Sequence, residues 1–396
     1  MSSGVLLQLV AVAGHVFVTC SSYLAGRTAQ KGLAMSDVLA DAIPAEPLGS
    51  HVLELHIVDV ITETDDAKSL VFAAPSGPDD PTISPVRLSY APGQFLTLRI
   101  PSERTGSVAR CYSLCSSPFT DDALAITVKR TSHGYASNWL CDHAYPGMRI
   151  HTLAPSGSFV PKSLDGDFLL LAAGSGITPI ISICKSALAR GGGQVTVLYA
   201  NRDQRGVIFA NALRELAARY PHRLTVIHWL ESLQGLPSSA ALTKLVAPYR
   251  NRPIFICGPG PFMDAARVAL RTLDVPATQI HCEVFRSLKT DPFAAVRLTG
   301  GGNEKPATAV VTLDGKTHTV SWPRGAKLLD VLLAAGLNAP FSCREGHCGA
   351  CAGTVRSGVV RMDVNDVLEQ QDLDDGLMLA CQAYPESDAV EVTYDE

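Results

Sequence analysis

Four cysteines constrain this chain more than any other feature. Cys343, Cys348 and Cys351 have four and two residues between them, and Cys381 answers them farther along in Leu-Ala-Cys-Gln. That spacing is the one a [2Fe–2S] loop uses, because four thiolates can ligate two irons. Gly346, Gly349 and Ala350 fill the intervals, small enough for the backbone to wrap closely with its N–H groups near the sulfurs. Structural zinc is the competing use of Cys-x-x-Cys, but zinc sites usually pair two such short hairpins, and the first interval here is four residues. A chain built around this loop is expected to handle electrons one at a time.

With 396 residues, 46% hydrophobic and only 18% charged, the chain has material for two to four domains with sizeable cores, which excludes a largely disordered protein. Seven further cysteines (Cys20, Cys111, Cys115, Cys141, Cys184, Cys257 and Cys282) are scattered without framework spacing, as suits a reducing, cytoplasmic setting. The net charge is −5, yet residues 306–396 hold 14 acidic against 6 basic residues. An acidic face there could guide docking to a basic redox partner, and there is no basic patch to suggest nucleic acid. Residues 5–24 are apolar enough to invite a signal-peptide or anchor reading. No positive charge precedes them, Gln8 and His15 interrupt them, and Arg27 and Lys31 follow, so stable membrane insertion is not expected. Residues 1–49 are read as an uncertain N-terminal extension, with Met35 as an alternative start.

Texture divides the remainder. Residues 50–162 carry short alternating runs broken by Pro and Gly, which predicts an antiparallel Greek-key barrel. Residues 163–285 alternate buried apolar strands with helical patterns, which predicts a parallel α/β domain. Residues 286–305, with Asp291-Pro292 and Gly300-Gly301-Gly302, read as a linker. Residues 306–396 fit a small β-grasp sheet with one helix over 326–335. The fold class is thus multidomain, β and α/β.

Arg110-Cys111-Tyr112-Ser113 ends a barrel strand. An arginine can bridge a pyrophosphate, a tyrosine can lie against a flavin ring, and a serine hydroxyl can reach the ring's redox edge. This Arg-x-Tyr-Ser wording resembles the flavin signature of the ferredoxin–NADP reductase superfamily, and the resemblance assigns those roles to Arg110, Tyr112 and Ser113 with FAD as the cofactor. Cys115 stands where many relatives have serine. The turn Gly134-Tyr-Ala-Ser137-Asn138 opens a short helix, whose free N–H groups and positive dipole end suit phosphate. By the same resemblance Gly134, Ser137 and Asn138 are candidate pyrophosphate contacts, although a plain helix cap is an equal use of such a turn. Residues 154–159 resemble the Pro-x-Gly-x-Phe turn that closes such barrels.

Gly174-Ser-Gly176-Ile-Thr178-Pro179 follows a buried strand and starts a helix, the context of a dinucleotide phosphate loop. Cys257-Gly258-Pro259 resembles the superfamily's second, nicotinamide-side loop, which puts Cys257 beside the hydride-transfer site or, equally simply, in the core as a buried strand-end thiol. After the next strand, Arg202 could bind a 2′-phosphate or stack on adenine, while Asp203 would repel that phosphate, so the charge argument favours NADH with NADPH possible. The resemblance brings Glu283 and Phe285 back toward the flavin.

Hydride carries two electrons and the cluster takes one, so flavin belongs between them. The order flavin barrel, nucleotide domain, C-terminal plant-type ferredoxin resembles the three-domain reductase components of bacterial oxygenases. Wording such as Gly134-Tyr-Ala-Ser-Asn-Trp-Leu and Ser287-Leu-Lys-Thr-Asp-Pro-Phe draws it toward those serving steroid-hydroxylating systems. That resemblance implies a Rieske non-haem iron oxygenase as partner. The alternatives are the reductase of another system, such as phenylacetyl-CoA epoxidase, and a non-enzymatic redox sensor.

Overall fold

Alternating burial along the first module builds seven strands in the computed structural model, which describes residues 51–75, 83–84, 88–296, 298 and 304–395. The expected extension 1–49, its Met35 and the triple glycine 300–302 lie outside the described residues. The strands are β1 (Leu53–Thr64), β2 (Ala67–Pro75), β3 (Ile83–Ser84), β4 (Phe95–Ser102), β5 (Gly106–Ser113), β6 (Leu124–Lys129) and β7 (Arg149–Thr152). They pair in the order β3-β2-β1-β7-β4-β5, with β6 also on β2. Leu114, just past β5, bridges to Ile126 of β6, so the two ends of the antiparallel sheet meet as a barrel. Leu55, Ile57, Leu96, Leu98, Ile100 and Ile126 fill it.

The second module is a parallel sheet, β8 (Phe168–Ala173), β9 (Val195–Asn201), β10 (Leu224–Leu230), β11 (Ile254–Cys257) and β12 (Ile280–Glu283). Its order is β10-β9-β8-β11-β12. The central strands are apolar on both faces because helices cover both. Ile177–Arg190 and Ala210–Arg219 lie on one side, Ser239–Val246 and Gly260–Thr272 on the other. The chain winds one way from β8 to β9 and β10 and the other way to β11, which opens a crevice at the carboxyl ends of β8 and β11.

The third module is a mixed sheet of β13 (Ala307–Leu313), β14 (Lys316–Trp322), β15 (Ala352–Ser357), β17 (Leu377–Leu379) and β19 (Ala389–Thr393), ordered β14-β13-β19-β15-β17. A side ladder joins β16 (Val360–Met362) to β18 (Ala383–Pro385). The helix Leu328–Ala334 buries Leu328, Leu329, Val331 and Leu332 against the sheet, close to the expected span.

The described part of 286–305 is not a free tether. Ser287 bridges to Arg110, Ser107 Oγ donates to Asp291 Oδ2 at 3.3 Å, and Leu288 and Phe293 are buried in a core shared by Ala109 and Leu153 of the barrel and Trp322 and Leu329 of the third module. Burying one phenylalanine side chain is worth roughly 1.5–3 kcal/mol, enough to pin a segment whose composition reads as flexible. Among the described residues no helix is long and apolar enough to cross a membrane.

Candidate functional site

Strand β5 carries the flavin motif. Its pleat puts Arg110 and Tyr112 on one face and Cys111 and Ser113 on the other. Arg110 is half-buried, and its Nη1 donates to the carbonyls of Ala109 (2.7 Å) and Leu288 (3.3 Å). Tyr112 packs on the barrel core, and burial raises its hydroxyl above the ordinary tyrosine range. Cys115 does not join this face. It lies in the core between barrel and nucleotide sheet, where Thr127 donates to its sulfur at 3.3 Å.

The helix Tyr135–His143 starts at Gly134 with no side chain capping its first turn, so its N–H groups stay open to a phosphate. Ser137 and Asn138 are used otherwise. Ser137 Oγ accepts from Thr131 N at 3.1 Å, and Asn138 Nδ2 donates to the carbonyls of Thr131 (3.1 Å) and Gly134 (2.7 Å). They brace the turn that presents the N–H groups.

The crevice of the second module is a cleft of about 860 Å³. Gly174 and Ser175 line it after β8, Asn201 at the end of β9 with Arg202, Asp203, Arg205 and Gly206 behind it, and Pro259 and Phe262 after β11, with Lys129 to Ser132 of the barrel closing the far side. Gly176 permits this approach of the two loops, since a Cβ there would stand 2.1 Å from the carbonyl oxygen of Cys257. Thr178 and Pro179 are buried, and the Thr178 hydroxyl donates to Ser175 O at 3.0 Å, so they shape the loop without facing the cleft. Arg202 is exposed on the cleft wall. Asp203 instead accepts from Gly206 N at 3.0 Å, tying down the loop that carries the arginines. Cys257 is fully buried among Ile177 and Phe255, and burial keeps its thiol well above the ordinary range. Cys257 thus lies in the core, the second of the two places the sequence left open for it. Gly258 follows it, pressed toward Ala173 and Phe262.

Three modules meet at a second, smaller cavity. Its walls are Phe95, Cys111 and Ser113 from the barrel, Glu283 and Phe285 from the end of the nucleotide sheet, and Cys343, His347 and Cys348 from the cluster loop. Burial pushes the Glu283 carboxyl up to about 7. Phe285 is 48% exposed, a ring free to cover a bound planar group.

The four cluster cysteines come together as two neighbouring pairs, Cys343 with Cys348 and Cys351 with Cys381, and Cys343 also lies beside Cys381. Among the described residues no group of three or more His, Cys, Asp or Glu is set to hold a lone metal ion. Two thiol pairs instead suit two irons. Hydrogen bonds with Cys348 and Cys381, and from the backbone of Glu345 and His347, hold the Cys343 thiol well below its ordinary range. Further donors face sulfur: Cys381 N to Cys351 Sγ and Gln382 Nε2 to Cys381 Sγ, both 3.5 Å. Gly346, at φ +79°, allows the wrap, since a Cβ would meet Val364 O at 2.7 Å. The Tyr394 hydroxyl is buried without a partner near Cys351 and Cys381. These donors fit a resident iron–sulfur group.

Several residues at this junction carried no motif. Thr97 Oγ1 lies 2.6 Å from Ser342 Oγ, Arg286 pairs with Asp366, and His347 Nδ1 stands 3.0 Å from Asp366 Oδ2. In the cleft, Asn201 is 7% exposed with neither amide atom hydrogen-bonded, and Glu231 lines the wall. Only adjacency to a known loop could have flagged Ser342 or Asn201.

Comparison with known proteins matches an oxidoreductase FAD-binding domain over residues 59–160, an oxidoreductase NAD-binding domain over 170–268 and a 2Fe-2S iron-sulfur cluster binding domain over 311–386. The chain is 77% identical over 358 residues, 90% of its length and 100% of the relative's, to the 3-ketosteroid-9-alpha-monooxygenase, ferredoxin reductase component, of Mycobacterium tuberculosis (strain CDC 1551 / Oshkosh). It is 32% identical over 86% of its length and 97% of the relative's to one of the subunits of the 1,2-phenylacetyl-CoA epoxidase of Escherichia coli (strain K12). Among solved structures, phthalate dioxygenase reductase shares the fold at 23% identity and a TM-score of 0.50, over 86% of this chain and 98% of that one.

Proposed function

We propose that this chain, which belongs to the family of ferredoxin reductase components of 3-ketosteroid-9-alpha-monooxygenases, carries electrons from NADH to a Rieske oxygenase that hydroxylates 3-ketosteroids at C9. The observation that carries this reading is the shared cavity in which Ser113 of the flavin motif faces Cys343 and Cys348 of the cluster loop. Bound FAD takes up the two electrons of a hydride together and releases them singly, and a [2Fe–2S] cluster accepts one at a time.

The chain's own residues divide that work. The loop 174–176 and the helix start behind it hold the dinucleotide phosphates, with Arg202 on the adenosine side. Arg110 and the open turn at Gly134 hold the FAD pyrophosphate, Tyr112 and Phe285 flank its ring, and Ser113 places a hydroxyl at the redox edge. Glu283, half-protonated near neutrality at about 7, can hold or release a proton beside that edge. Cys343, Cys348, Cys351 and Cys381 bind the cluster. Asp203 next to Arg202 supports NADH over NADPH, since a carboxylate there opposes a 2′-phosphate. The six described cysteines outside the cluster set form no disulfide, which supports a cytoplasmic setting. Identity of 77% against 32% favours the steroid system over the epoxidase.

The test mixes the purified protein with NADH, O₂, an active steroid 9α-oxygenase component and androst-4-ene-3,17-dione, and looks for the 9α-hydroxylated product by mass spectrometry. Coupled product formation is expected. NADH consumption with artificial acceptors but no hydroxysteroid would transfer the chain to another oxygenase.

A further inference from the structure

Glu345 stands inside the cluster loop, two residues after Cys343 and three before Cys348. Its backbone N–H donates to Cys343 Sγ at 3.4 Å. Its side chain, 10% exposed, turns the opposite way. There Oε1 accepts from Lys289 N at 2.6 Å, Thr290 N at 2.6 Å and Thr290 Oγ1 at 2.9 Å, while Oε2 lies 3.9 Å from His347 Nε2. Hydrogen bonds to an ionised carboxylate are the strong ones, and three donors on one oxygen leave it a single position. The segment it grips is anchored in turn to the flavin strand, because Ser287 bridges to Arg110 and Leu288 O accepts from Arg110 Nη1 at 3.3 Å. One residue therefore links a cluster ligand, through its backbone, to the strand of the flavin motif, through its side chain. The neighbouring Arg286–Asp366 pair cannot replace it, since those side chains are 47% and 38% exposed and such pairs are worth little in water.

We propose that Glu345 is a positioning residue for the internal electron step, holding the cluster loop at a fixed distance from the flavin strand. The proposal rests on the electron-transfer reading above. It assigns to a loop carboxylate outside every motif the geometry on which flavin-to-cluster transfer depends, with no swing of the third module.

The test uses the holoprotein with Glu345→Ala, Glu345→Gln and Thr290→Val, followed by rapid mixing with NADH and by the cluster's EPR spectrum. In Glu345→Ala, flavin bleaching by NADH and cluster content stay within about twofold of wild type, while cluster reduction slows by about tenfold or more, the scale of an ångström-sized misplacement. Glu345→Gln, which keeps an acceptor oxygen, restores most of the rate. Thr290→Val slows it from the other side of the contact and adds little to Glu345→Ala, as partners in one interaction should. Cluster reduction in Glu345→Ala within about twofold of wild type, or Gln as slow as Ala, overturns the proposal. Loss of the cluster in both Glu345 variants also overturns it, because the role would then be assembly. A wild-type protein whose cluster takes no electrons from NADH overturns the electron-transfer reading itself, and the proposal with it.

Discussion

Thr97 Oγ1 and Ser342 Oγ lie 2.6 Å apart although 245 positions separate them in the chain, and the same Thr97 oxygen stands 3.4 Å from Cys111 Sγ. A hydroxyl in the wall of the flavin barrel is thus hydrogen-bonded to the residue that precedes the first cluster ligand. Both residues are 1% exposed, so the contact is made in the core where neither group has water as an alternative partner.

Thr97→Val keeps the shape and removes the hydroxyl. Leaving Ser342 short of its partner is expected to cost about 1–3 kcal/mol, seen as a lower urea midpoint with unchanged m-value. An unchanged midpoint would show that Ser342 finds another hydrogen-bond partner.

Cys348→Ser removes one member of a thiol pair. The cluster absorbance should be lost while NADH still bleaches the bound FAD, because the flavin and nucleotide residues lie on other modules. Retention of a normal cluster spectrum would remove Cys348 from the ligand set.

Arg110→Ala should purify flavin-poor, since it removes both the proposed pyrophosphate partner and the tie to Leu288 O. The ratio of flavin to protein absorbance reads this out. A full flavin complement would move the pyrophosphate site elsewhere.

Gly176→Ala forces a Cβ into the carbonyl of Cys257, a backbone atom that cannot step aside. The phosphate loop must shift, and KM for NADH should rise by about tenfold or more, with flavin content unchanged. A KM unaltered by the substitution would contradict the cleft as the NADH site.

Glu283 yields a pH prediction. Its folded-state value of about 7 lies above its ordinary value, so between that ordinary value and about 7 the native state binds more protons than the unfolded one. The Glu283 contribution to stability should therefore be most favourable below the ordinary carboxylate range and decline as pH rises toward 7. Glu283→Gln abolishes that slope and is worth at most about 3 kcal/mol at neutral pH, less whatever solvent screening removes. Thermal midpoints measured across this interval in both proteins decide it, and parallel curves would refute it.

The FAD, NAD and 2Fe-2S domains were legible in the sequence because loops such as 343–351, 110–113 and 174–179 need particular atoms at short, fixed separations, and such requirements leave a pattern within a dozen residues. Composition misled at 286–305. Asp291-Pro292 and nearby glycines have the chemistry of a tether, whereas Leu288 and Phe293 supply just enough apolar surface to be drawn into the core between barrel and third module. Cys257 could not be placed from its neighbours, because a strand-end thiol beside a glycine loop can face either the cleft or the core, and it is fully buried among Ile177 and Phe255.

From residue order alone came the sequence of modules, flavin domain, nicotinamide domain and [2Fe–2S] domain, that carries electrons from nicotinamide to iron. Folding supplied the distances between them. Thr97 with Ser342, Glu345 with Thr290 and Arg110 with Leu288 join segments far apart in the chain. Such contacts have no local period or spacing to betray them, because what selects them is the packing of one finished surface on another.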